Sequence, residues 1–402
     1  MNILKLGLVP QILIGVALGA VVGVLVPGIA ENLGIFGQLF VGMLKAVAPL
    51  LVLVLVMSAI ANKHETGNDG RKTLAAIVLY LVGTVCAALV ALLLSQLFPQ
   101  TITLTDVAQG SPPVDVTAVL TAVLFQLIDN PVNALLQGNF LGCLTWAILL
   151  GVSFRKASDS FKQHLQTVAD GVSNIVRYVI RLAPIGIFGL VCYTVATVGL
   201  AALASYASLA ILLVSAMLVM ALVVNPAIVY VITGSNPYPV IFRCLEESGV
   251  TAFFTRSSAA NIPVNLNLAK KLGISEELYT VTIPIGATVN MAGAAITITV
   301  LTLAATNTLG IEVSFVTALV LCVIAALSAC GASGVPSGSL LLIPLACSLF
   351  GISLDVAMQV VAVGFIISVI QDSTETALNS STDVVYTYAV DQWGNKHNGE
   401  LN

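Results

Sequence analysis

Charge is what this chain has least of. Of 402 residues only 8% are Asp, Glu, Lys or Arg, against about 25% in soluble domains. Hydrophobic residues make up 58%, and the mean hydropathy is +1.03. That balance excludes an ordinary soluble globule and gives no basic stripe for a nucleic-acid partner. The net charge of -4 says little, because so few charges contribute to it. Histidine is scarcer still: His64, His164 and His397 are expected in loops or at the tail, which leaves no membrane-depth imidazole as a base. The seven cysteines, at 86, 143, 192, 244, 322, 330 and 347, show neither CxxC nor metal-ligand spacing and read as small buried hydrophobes. No Ala-x-Ala site follows Lys5 and the first apolar run, so the first helix is expected to be retained.

What is present is long apolar segments. Membrane helices are predicted at about 8–28, 36–61, 74–98, 134–154, 165–198 and 203–233, each near or above the length needed to cross; the fifth is long enough to tilt or protrude. Lys5, Lys63, Arg71, Lys72, Arg155, Lys156 and Lys162 mark one side, and 73–154 holds no Lys or Arg. The positive-inside rule therefore puts the N-terminus in the cytoplasm.

After residue 234 the apolar segments shorten. Phe253–Pro263 and Ser328–Ser339 are rich in Ser, Ala, Gly and Pro. With arms of about 12 to 16 residues they read as tips of re-entrant hairpins, which sit at membrane depth only where they line a cavity or the protein interior. Each is followed by a longer segment expected to carry a break: Gly286–Gly293 in the first, and Asp372, Glu375, Thr376, Asn379 and Asp383 in the second. At 100° per residue, 372, 376, 379 and 383 share one stripe, with 375 beside it. Each ionised carboxylate costs roughly 2.5 to 3.5 kcal/mol at a bilayer centre, so three on one helix need partners or a ligand. For Asp383, near the cytoplasmic end, a snorkelling carboxylate is the alternative. Hairpin plus interrupted helix, twice, is the outline of an internal repeat with a site near the midplane.

Thr255-Arg-Ser-Ser-Ala-Ala-Asn-Ile-Pro263, Ile283-Pro-Ile-Gly-Ala-Thr-Val-Asn-Met-Ala-Gly293, Gly334-Val-Pro336 and the run Asp372 to Asp383 resemble, in order, the first hairpin, seventh helix, second hairpin and eighth helix of the dicarboxylate/amino acid:cation symporters, the glutamate-transporter-like family. Within it the chain is most similar to the sodium/serine-threonine symporters. The resemblance implies an all-α polytopic inner-membrane protein of eight helices and two re-entrant hairpins, at about 238–273 and 314–350. It implies a homotrimer in which a scaffold (1–73 and 99–200) holds a transport part (74–98 and 201–402) that moves as an elevator. The cargo would be a small neutral amino acid with sodium.

A zwitterionic amino acid needs an anionic acceptor and uncharged donors. The resemblance assigns Asp372 to the amino group, Asn379 and Ser258 to the carboxylate, and Arg256, Ser257, Val335, Glu375 and Thr376 to the same pocket. For sodium, a hard cation taking oxygen ligands, it implies one site from Gly286, Asn290, Asn379 and Asp383. A second would use Thr288 with Ala329, Cys330 and Ala332. Acidic-amino-acid carriers have arginine where this chain has Glu375, and threonine where it has Ala294. Glu375 either accepts a hydrogen bond from a hydroxyl or pairs with Arg256, and the pair is the favoured expectation. Ala292 replaces an aspartate of a third sodium site whose remainder resembles Tyr80 and Thr84, so fewer coupled ions are expected. Three rivals are a sodium- or proton-coupled carrier of acidic amino acids or C4-dicarboxylates, a channel and, from Gly331-Ala-Ser-Gly334, an intramembrane serine protease, which would need a histidine the membrane segments lack.

Overall fold

A bilayer offers backbone amides no water, so an apolar chain spanning it as separate segments must pair them within helices. The computed structural model describes residues 7–62, 70–104, 121, 124, 125, 127–331 and 337–399, and among the described residues there is no strand. The chain opens with α1 (Leu8–Leu25), α2 (Pro27–Ala61) and α3 (Gly70–Leu97). Pro27 disfavours helix at Val26, closing α1, and supplies the first turn of α2. Then come α4 (Pro131–Gln137), α5 (Phe140–Phe154), α6 (Asp159–Arg181) and α7 (Ala183–Val198). α8 (Ala201–Thr233) contains a wide turn at Met220–Val224 just ahead of Pro226.

Two predicted spans come out divided. The segment 134–154 breaks at Gly138, which is left-handed at φ 65°, and Asn139 caps α5 by accepting from the Gly142 amide. The loop before α4 is clamped at Asp129, whose carboxylate accepts from Asn133 and Asn139 while its carbonyl accepts from the Trp146 indole. Those amide donors, Asn133 first, hold the Asp129 carboxyl below its usual range. The segment 165–198 bends by 50° between α6 and α7. α6 buries Leu165, Ala169, Val172, Val176 and Ile180 on one face and exposes Asp159, Asp170, Arg177 and Arg181 on the other. A face so charged suits water better than lipid.

α1, α2 and α7 approach closely through small residues. A Cβ on Gly15 would lie 2.5 Å from the Pro184 carbonyl, and one on Gly19 2.8 Å from that of Phe188. Gly37 and Gly189 do the same between α2 and α7. In lipid, where burial drives little, such backbone proximity supplies the packing energy.

The second half wraps around one long helix. α9 (Tyr238–Cys244, Leu245–Gly249 and Val250–Thr255) turns at Arg256 and Ser257 into α10 (Ser258–Lys271). The tip is two residues rather than the eleven expected, because Ser257 caps α10 by accepting from Ala260 N at 3.2 Å. α11 (Glu276–Val289) and α12 (Ala292–Leu309) are separated by a break at Asn290 and Met291. α13 (Phe315–Ala329) leads to the second tip, of which 332–336 lie outside the described residues; a short turn at Gly338–Leu342 and α14 (Ile343–Ser348) follow. α15 (Leu354–Gly399) then packs against α3, α8, α9, α10, α11 and α12.

The break expected in α15 is absent: the helix runs through all five polar positions. α11 carries Pro284 and Gly286 ahead of its break, whereas α15 has no proline and no glycine between Gly364 and Gly394. Its hydroxyls also bond back within the helix, Thr376 to Asp372 O at 2.7 Å, Ser381 to Ala377 O and Thr387 to Asp383 O, which satisfies them without unwinding it.

Candidate functional site

The stripe on α15 faces inward throughout. Asp372, Glu375, Thr376, Asn379 and Asp383 are between 1% and 7% exposed. Burial at 1% removes the snorkelling alternative for Asp383.

Asp372 joins the two hairpin tips. Arg256 donates from Nε to Asp372 Oδ2 at 2.6 Å, with Nη2 on the same oxygen, and Nη2 also reaches Ser337 Oγ at 3.3 Å. Ser337 donates its amide to Asp372 Oδ1 at 3.1 Å. Among the described residues, Arg256 (φ 52°) and Ser337 (φ 54°) alone are non-glycine with positive φ. Such left-handed conformations cost of order 1 to 3 kcal/mol and persist where surroundings over-determine them. Both converge on one carboxylate.

The expected Arg256–Glu375 pair is therefore corrected. Arg256 bonds Asp372, while Glu375 Oε2 accepts from Thr297 Oγ1 at 2.8 Å, from Ser339 Oγ at 2.8 Å and from Gln371 Nε2. Geometry decides between them: Asp372 lies opposite the Arg256 tip, whereas Glu375 turns toward α12, where Gly293 leaves room. A Cβ there would sit 2.9 Å from Glu375 Cα. Ser339 and Gln371 were not singled out from sequence; Gln371 is one turn before Glu375, a spacing that could have found it.

Two turns along α15, Asn379 and Asp383 meet the break between α11 and α12. Asn379 Oδ1 accepts from Gly293 N at 2.7 Å, and its Nδ2 contacts Met291 Sδ at 3.4 Å. Asn290 Nδ2 donates to Asp383 Oδ1 at 2.9 Å and to the Asn379 carbonyl at 3.2 Å. These two acceptors fix the Asn290 amide orientation. Asn290 Oδ1 and Asp383 Oδ2 are buried and accept no hydrogen bond. Unpaired buried oxygens are costly, and these two, with the Asn379 and Gly286 carbonyls nearby, make an oxygen-only donor set suited to a hard cation. A Cβ at Gly286 would lie 2.7 Å from Asp383 Oδ1. The Gly286 carbonyl already accepts from Asn290 N at 2.9 Å, leaving one lone pair for an ion.

The remaining expected residues divide. Ser258 is half-buried in the first turn of α10, beside the Arg256 tip. Ser257 is engaged as a cap and Thr376 in its own helix. Thr288 is exposed and bonds Ile285 O, while Ala329 is buried and Cys330 Sγ lies 3.5 Å from Val289 O. α13 thus ends beside Val289, next to Thr288. Ala332 and Val335 lie outside the described residues. Ala292 is buried, and the Thr84 hydroxyl donates to Tyr80 O. The Tyr80 hydroxyl is 2.9 Å from Thr387 Oγ1 and 3.2 Å from the Asp383 carbonyl, bracing the end of the stripe.

A family model described as the sodium:dicarboxylate symporter family matches residues 8–393. The chain belongs to that family. As a member of the sodium:dicarboxylate symporters it is an integral membrane, cation-coupled symporter with sodium as co-transported ion, in a family of transporters rather than enzymes. Among the described residues, six helical segments are long and apolar enough to cross a membrane, with α11 and α12 taken together as one, or seven with the bent α6–α7 pair as one span.

Proposed function

We propose that this symporter imports small neutral amino acids, serine and threonine foremost, driven by sodium. The observation that carries the reading is the pocket's charge. Glu375 is a buried carboxylate ringed by neutral donors, and Arg256 is committed to Asp372. A second carboxylate on the substrate would meet Glu375 and be repelled, whereas a hydroxyl would find an acceptor. Asp372 is the anion for the substrate's ammonium, with Asn379 and Ser258 for its carboxylate. Asn290, Asn379, Asp383 and the Gly286 carbonyl hold one sodium; Thr288 and the end of α13 supply part of a second. Ala292 in place of a carboxylate argues against a third.

Eight spanning segments and two re-entrant hairpins complete the reading, with α3 and the chain from α8 onward moving as an elevator against a trimeric scaffold of α1, α2 and α4 to α7. In this reading the protein sits in the inner membrane with its N-terminus toward the cytoplasm. The close α1–α2–α7 packing and the wrapping of α3 and α8 to α12 around α15 support that division. One net charge moved inward gains about 2.3 kcal/mol per 100 mV, roughly 50-fold accumulation.

In proteoliposomes with an inward sodium gradient, labelled serine should accumulate against its own gradient and cease to when sodium is removed. Downhill flux alone would point to a channel. Accumulation of succinate or aspartate in preference to serine would overturn the substrate class.

A further inference from the structure

Glu375 is held by one oxygen. Thr297 from α12, Ser339 from the short turn Gly338–Leu342 and Gln371 from α15 itself all donate to Oε2, the two hydroxyls at 2.8 Å. Among the described residues none donates to Oε1, and unlike Gln371 Oε1 it is not sealed from solvent. A carboxylate has about four acceptor positions, two on each oxygen. Three donors fill Oε2, so what the group still offers lies on Oε1, one turn of α15 from Asp372.

The donors also constrain one another. Gln371 Nε2 donates to Thr297 Oγ1 at 2.9 Å, which leaves the Thr297 hydrogen for the carboxylate. Further along α12, the Thr306 and Thr308 hydroxyls bond back to the Leu303 and Ala304 carbonyls, as hydroxyls within a helix commonly do. That of Thr297 is turned to Glu375 instead. The Gln371 amide is fixed as well, because turning it over would set its oxygen against the carboxylate. As it stands, Gln371 Oε1 is buried with no donor, and so is the Ser368 hydroxyl one turn earlier. Buried oxygens left unpaired are costly, so holding Glu375 takes precedence over pairing the side chain that holds it.

We infer that Thr297, Ser339 and Gln371 are positioning residues that fix Glu375 by Oε2 so that Oε1 meets the substrate's hydroxyl, and that this cradle sets a preference for serine over alanine. The inference deepens the proposed function and rests on its reading of Glu375 as the acceptor for that hydroxyl. The last torsion of a glutamate side chain is broad and two-fold, so an unsupported carboxylate would have to be ordered at each binding event. Pinned by three donors, it is ordered beforehand. Alanine fills the same place with nothing to donate. Losing a hydrogen bond to a charged group costs it roughly ten- to a hundredfold in affinity.

The test is equilibrium binding of L-serine and L-alanine to the full-length protein in nanodiscs at saturating sodium, read as the ratio of the two dissociation constants. Wild type should favour serine by roughly tenfold or more. Thr297→Val, close to threonine in shape, and Gln371→Leu should each cut that ratio about threefold or more, chiefly through weaker serine binding. Thr297→Ser keeps the hydroxyl and should keep the ratio. Made on top of Glu375→Ala, Thr297→Val should move the ratio no further, because the cradle acts only through the carboxylate. A residue needed for packing alone weakens both amino acids alike. A ratio unmoved by Thr297→Val and Gln371→Leu, or moved equally with and without Glu375, would therefore overturn the inference. Equal affinity of the wild type for the two amino acids, or a serine preference that survives Glu375→Ala, would instead overturn the reading of Glu375 beneath it, so the two failures are told apart.

Discussion

Asp372 and Asp383 sit on one helix face, equally buried, yet their partners differ in kind. The first is met by a guanidinium and a backbone amide, the second by a single carboxamide that leaves Oδ2 and Asn290 Oδ1 without donors. Charge bound to charge suits exchange with another cation, while unpaired oxygen suits a metal ion. Asp372→Asn should therefore reduce serine uptake to background with sodium binding still measurable. Asp383→Asn should shift the sodium concentration for half-maximal uptake upward by about tenfold or more, a loss of at least ~1.4 kcal/mol. A sodium curve unmoved by Asp383→Asn would place the ion elsewhere. Glu375→Arg should lower serine uptake at least about tenfold, because it puts a second cation beside Arg256 and strips three donors of their acceptor. Competition by aspartate, appearing in that variant alone, would show that this position faces the substrate.

The elements explain why some of this was legible and some was not. The burial of the five α15 residues follows from 3.6-residue periodicity and the cost of charge in lipid, so their common face could be read from spacing. The broken α11–α12 segment could too, since Pro284 and Gly286 stand just before it. The break expected in α15 was an extrapolation from architectural symmetry, and local chemistry overrode it. Which carboxylate takes Arg256 was beyond the sequence, because 372 and 375 are one turn apart and only the approach of the first tip separates them. Gly286 is the sharpest test at this scale. Gly286→Ala would push a methyl into Asp383 Oδ1 and toward the Tyr80 ring. A cost of about 1 to 3 kcal/mol should appear as weakened sodium affinity with serine transport recoverable at high sodium; a simple loss of folded protein would instead make the glycine structural.

At the scale of the whole molecule, Lys45 of α2 pairs with Asp355 at the start of α15, tying the proposed scaffold to the proposed moving part. Both side chains are well exposed, so the pair is worth little by itself, but it marks two positions in contact in this state. Cysteines at 45 and 355, in a background lacking the native seven, bridged by a cleavable cross-linker, should stop uptake and release it on cleavage. Unimpaired uptake after complete cross-linking would exclude sliding between these parts. Asn379 carries a different consequence for the cycle. Its side chain holds the Gly293 amide and its carbonyl holds Asn290, so in the proposed site one residue would serve the substrate's surroundings and the ion's alike. Two ligands that share a wall are placed to change each other's affinity. Thermodynamic reciprocity then requires that whatever factor sodium adds to serine binding, serine returns to sodium. Any coupling carried through that asparagine therefore moves both affinities in the same direction, each cargo being held more tightly when the other is bound.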